Sequence, residues 1–184
     1  WCKRRPTLVL MSLLLVMLSV VGTIVGTLIA LEQKNATRAQ GLVAELENAD
    51  IAQVPSIVEK LDSYRHWTRP LLDQKLLDSK DGSKQKLHTV LALLPVDETQ
   101  VSYLREQLLV VSPSQFSVVR DALLSHREQS VEPLWKIALD VKLPIQPRFQ
   151  AACALATYSP ADRRWEKVNH LVAGYLVTRQ TSDL

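Results

Sequence analysis

A chain of 184 residues holds one modest domain. Its formal charge of +3 is carried by Lys3, Arg4 and Arg5; the remaining basic residues balance the 19 acidic ones, which excludes the net basic field of a nucleic-acid surface. The two cysteines, Cys2 and Cys153, build neither a disulfide framework nor a zinc ligand set, and the five glycines form no phosphate-cradling loop.

The first element is a hydrophobic helix. Residues Pro6 to Leu31 carry no charge. A hydrocarbon core about 30 Å thick needs about 20 apolar residues in a helix. The run therefore predicts a single membrane span close to residues 8–30, in contact with lipid. A signal peptide is the rival reading, but its apolar core is shorter, about 7–15 residues. Gly22 and Gly26 form a GxxxG pair, which would let two such helices approach as a homodimer. The cluster Lys3, Arg4 and Arg5 precedes the run, whereas Glu32 offsets one of Lys34 and Arg38 after it. The positive-inside rule thus predicts a cytoplasmic N-terminus and an extracytoplasmic C-terminal domain. Cys2 lies at the membrane flank, where its position alone would suit lipidation. Residues 1–31 form the basic flank and anchor, 32–41 a linker, and 42–180 a helical repeat domain.

Short helices follow one another through that domain. Leu42, Leu46, Ala49 and Ile51 mark the first, and Val54, Ile57, Val58 and Leu61 the second, with Pro55 in its first turn. A third is expected from near Pro70 to Asp81-Gly82. The fourth is KQKLHTVLALL, stopped by Pro95. Asp97 reads as the N-cap of VSYLREQLLV. Ser112-Pro113 opens a helix with Phe116, Val119 and Leu123. Val131, Leu134, Trp135 and Ala138 belong to the next, and RFQAACALA to a short one of small residues. The last is expected to carry Trp165, Val168, Leu171, Val172 and Tyr175.

The two halves repeat at an offset of 62 residues. Gln53, Leu61, Ser63 and Arg65 recur as Gln115, Leu123, Ser125 and Arg127; Ala92 and Leu93 recur as Ala154 and Leu155. The expected units are 52–94 and 114–156, each holding two helical hairpins of about 31 residues, close to HEAT-like or tetratricopeptide-like repeats. The fold class is all-α: one transmembrane helix, then a short right-handed α-solenoid of HEAT-like hairpins or a compact bundle.

No catalytic, cofactor-binding or metal-binding residue emerges. His66, His88, His126 and His170 have no metal-ligand spacing, and His66 and His126 are expected at helix C-termini, where negative partial charge collects. Trp67, Trp135 and Trp165 read as packing residues, Cys153 as a small core residue, and the carboxylate pairs Glu45 with Glu47 and Asp97 with Glu98 as solvated faces and caps. Nothing in these patterns calls for a cofactor.

The phrases WCKRRP, VPSIVEKLDSYRHWTRPLL, KLHTVLALLPVDETQVSYLREQLL, SPSQFSVVRDALLSHR and RFQAACALATYSPADRRWEKV cover most of the chain. Together they resemble the transmembrane helix and the following HEAT-like region of membrane-bound serine/threonine protein kinases of planctomycete bacteria. The resemblance implies a kinase domain before the anchor. Its glycine-rich loop, lysine, catalytic loop and metal-binding aspartate have no counterparts in these 184 residues. The expected function is a non-catalytic, membrane-anchored repeat domain for protein interaction or sensing, with a protein as its partner. The alternative is an ATP-dependent serine/threonine kinase whose catalytic domain lies upstream of Trp1.

Overall fold

A computed structural model describes residues 5–168. They form eight α-helices joined by turns and short 3-10 segments. The helices are α1 (Arg5–Asn48), α2 (Val54–Asp62), α3 (Arg65–Asp78), α4 (Lys84–Leu93), α5 (Gln100–Leu108), α6 (Pro113–Ala122), α7 (Arg127–Leu139) and α8 (Ile145–Tyr158).

The apolar run and the first domain helix are one element. The 44 residues of α1 extend roughly 66 Å at 1.5 Å each. Their apolar part is long enough to cross a membrane, and none of it is buried against the domain. The segment 32–41, expected as a linker, is helical throughout. It is rich in good helix formers such as Gln33, Lys34, Ala36, Arg38 and Ala39, and it lacks proline. From Ala39 onward a buried stripe of Ala39, Leu42, Val43 and Leu46 follows the helical period into the core. The apolar run and this buried stripe thus lie on one unbroken helix. Gly22 and Gly26 sit on the exposed part of α1, with open space where a Cβ would stand.

The next helices lie against α1. Lys60 of α2 approaches Glu45 at 3.5 Å. Trp67 near the start of α3 meets Glu32, and Lys75 near its end meets Glu47 at 2.8 Å. So α3 runs parallel to α1, and the turn between α2 and α3 lies toward the anchor. Arg65 Nη1 donates to the Ala92 carbonyl at the end of α4. Gln129 at the start of α7 reaches Glu98, and Glu132 reaches Arg164.

Helix α3 begins at Arg65 rather than near Pro70, so Pro70 lies inside it. Pro133 likewise lies inside α7. A proline in a helix frees the carbonyl four residues earlier. For Pro133 that carbonyl belongs to Gln129, and Arg105 Nη1 donates to it at 3.3 Å. The expected cap at Asp97 is displaced: α5 starts at Gln100, after Thr99. Asp97 instead closes the preceding turn, accepting from the Thr99 amide at 3.1 Å, from Thr99 Oγ1 at 2.6 Å and from Gln100 Nε2 at 2.9 Å. Those bonds, led by the Thr99 hydroxyl, hold its carboxyl below the usual range. After Asp162 the described chain forms a 3-10 turn, Arg163–Lys167. The expected helix positions Leu171, Val172 and Tyr175, together with His170, lie outside the described residues.

Matching features recur 62 residues apart. Asp50 and Gln53 form a capping box before α2, and Ser112 and Gln115 form one at the start of α6. Tyr64 and His126, just before α3 and α7, have φ/ψ of −119°/21° and −110°/21°. Leu61 with Leu123, Thr68 with Ser130, Leu72 with Leu134, Ala92 with Ala154 and Leu93 with Leu155 are all fully buried. The loops before α4 and α8 differ. Gly82 takes φ +72° in the first, a conformation that favours glycine, whereas Pro144 at φ −52° precedes α8 in the second.

Candidate functional site

The polar side chains with chemical potential are dispersed. His66 is exposed and sets its ring edge-on to Trp67, with centroids 5.3 Å apart. It lies in the first turn of α3 and not at a helix C-terminus, because that helix starts earlier than its proline suggests. His126 closes a 3-10 turn and immediately precedes α7. Among the described residues no three His, Cys, Asp or Glu side chains gather as a metal site. Cys153 is half-buried; burial raises its thiol pKa, against the opposing pull of Arg120. That direction makes the thiolate scarcer and the sulfur less reactive.

The tryptophans divide into two roles. Trp135 is buried, with the Trp165 ring edge-on at 5.1 Å and the Arg164 guanidinium 4.8 Å from its ring centre. Arg164 also bridges Glu132 and Asp162, each at 2.7 Å. The guanidinium holds the Asp162 carboxyl down to about 2. Trp67 is not a core residue; its indole N–H donates to Glu32 at 2.8 Å and ties α3 to α1. In the sequence all three read alike as packing residues, since composition does not show which indole meets a carboxylate.

His88 is a buried polar residue that the sequence does not mark. Its Nδ1–H donates to the Leu46 carbonyl at 2.9 Å, while Nε2 is buried without a partner. Gln150, 62 residues later, donates to the Val111 carbonyl at 2.9 Å. Desolvation lowers the His88 pKa, outweighing the opposing bond to Leu46. Folding therefore selects neutral imidazole. The unfolded chain binds the extra proton first, so stability is full above about pH 6.5 and falls on acidification below it. Denaturant titrations at pH 7.5 and 5.5 are expected to show this loss, and His88→Gln is expected to flatten it. An unchanged pH slope in that variant would assign the acid sensitivity elsewhere.

A concave surface lies where the two similar units meet. Val54, Pro55 and Val58 of α2 form one wall, joined by Leu91 and Leu94. The other wall is α6 and its 3-10 extension, with Ser117, Val118, Asp121, Ala122, Ser125 and His126. The groove encloses about 500 Å³. Asp121 is paired with Arg120 at 2.8 Å, so the groove carries no bare charge from that side chain. Its geometry suits an apolar side chain or short apolar segment held by a polar margin. The Ser117 and Ser125 hydroxyls donate to the backbone carbonyls of Ser114 and Ala122 on their own helical segment.

No protein-family model, curated protein or solved structure matches the chain.

Proposed function

We propose that this chain is a membrane-anchored helical repeat domain that binds a protein partner, without catalysing a reaction itself. The groove between α2 and α6 carries the reading, because it is a largely apolar concavity at the boundary of the two units. Recurrence of the capping boxes and buried leucines at 62 residues supports a duplicated, solenoid-like stack, an architecture that presents extended binding surfaces. The continuous helix α1 would pass a binding event to the membrane and through it to the N-terminal side. Self-association through Gly22 and Gly26 belongs to the same proposal, since both positions leave room for a second helix.

Photo-crosslinking of the full chain in its membrane tests the groove. A benzophenone amino acid at Val118 is expected to give one discrete protein adduct, which Val58→Glu abolishes. Lipid adducts alone would sink the partner reading. Orientation is tested separately in intact spheroplasts, where the region after residue 42 is expected to be open to added protease. Protection there would place the domain on the cytoplasmic side.

A second reading is favoured by the basic juncture WCKRRP set directly before the anchor. On its resemblance to the planctomycete kinases, the chain is the anchor and outer part of an ATP-dependent serine/threonine kinase. A kinase domain encoded in frame upstream of Trp1 supports this reading, and upstream sequence without one overturns it.

A further inference from the structure

A second cleft lies beside α1, just beyond its apolar run. It is lined by Ala30, Gln33, Lys34, Thr37, Arg38 and Tyr64, and encloses about 770 Å³. Lys34 and Arg38 are four residues apart and therefore share one face of the helix. Both are exposed, and neither makes an ion pair or hydrogen bond among the described residues. No carboxylate lines the cleft. The adjacent acid, Glu32, is already engaged by the Trp67 indole.

The position of this cleft selects its ligand. Ala30 at its lower end belongs to the uncharged run that ends at Leu31. Lys34 stands roughly 4.5 Å beyond Leu31 along the axis, and Arg38 roughly 10 Å. The headgroup layer outside the hydrocarbon core is about 5–8 Å thick on each side. Long cationic side chains bend toward that layer and bury their stems along the way. Tyr64 in the cleft and Trp67 beside it are residues favoured at the membrane–water boundary. The surface is thus apolar below, cationic above and flanked by aromatic rings, which matches a phospholipid with its tails along α1 and its phosphate between two cations.

We propose that Lys34 and Arg38 bind the phosphodiester of an anionic phospholipid in the leaflet from which α1 emerges. This site rests on α1 spanning the membrane and is independent of any protein bound in the groove. It would fix the depth and rotation of the domain on the bilayer.

The test uses the full chain in phosphatidylcholine vesicles carrying spin-labelled phosphatidylglycerol or spin-labelled phosphatidylcholine. The fraction of motionally restricted label gives the relative association of each lipid. The wild type is expected to prefer phosphatidylglycerol. Lys34→Gln with Arg38→Gln is expected to lose roughly fivefold of that preference per cation removed. Lys34→Arg with Arg38→Lys is expected to retain it. Lys3, Arg4 and Arg5 stay constant across these variants, so the difference isolates the cleft. An equal preference in the wild type and the double glutamine variant overturns the proposal. Loss of preference with millimolar inorganic phosphate, but not with chloride at matched ionic strength, also overturns it by assigning the site to a free anion. Absence of any restricted lipid in the wild type would instead remove the anchor itself.

Discussion

Trp135→Ala is expected to destabilise the domain by about 3–5 kcal/mol, the usual cost of deleting a buried tryptophan. Trp135 is 1% exposed and sits on α7, which packs closely along α8. Removing it leaves a void and strips two directed contacts, the Trp165 edge and the Arg164 cation over its ring. The surface ion pairs of Arg164 with Glu132 would add little alone, because Glu132 is largely exposed. Their role is to hold the guanidinium in place over the indole. Trp135→Phe keeps an aromatic face and is expected to recover most of the loss. Urea unfolding of the full chain in detergent, followed by far-UV circular dichroism, measures both variants. A loss below about 1 kcal/mol for alanine would mean that Trp165 and Arg164 close over the gap.

The apolar run, the short helical segments and the 62-residue spacing were all legible in the sequence, because each is a pattern of residue types along the chain. The junctions were less so. Residues 32–41 read as a linker since their polarity changes abruptly, yet polarity does not stop a helix that has good formers on both sides. Pro70 read as a helix start, whereas α3 begins at Arg65 and buries Thr68 ahead of that proline. The groove and the cleft depend on which faces meet, and the bond between Trp67 and Glu32 spans 35 residues. His88 illustrates the same limit. Helical periodicity marks its neighbours as apolar, but only the packing of α4 against α1 shows that its ring reaches the Leu46 carbonyl.

Leu93→Ala and Leu155→Ala are each expected to cost about 2–5 kcal/mol. Both side chains are fully buried, each follows a fully buried alanine, and they occupy positions 62 residues apart near the ends of α4 and α8. The small alanines admit a neighbouring helix closely, so neither site has spare room in which a shortened side chain could be compensated. If the halves are copies of one unit, the two losses should be of similar size. The helices α4 and α8 do not pack closely along one another, so the double variant should show the sum of the single losses within about 0.5 kcal/mol. Exposed Lys60, whose partner Glu45 is also solvent-accessible, provides the control: Lys60→Ala should change stability by no more than about 0.5 kcal/mol. Equilibrium unfolding of the four variants in one detergent decides the matter. A full cost at Leu93 with less than about 1 kcal/mol at Leu155 would show that the second half has kept the spacing of the first without its core, and the duplication would then describe the chain's pattern but not its stability.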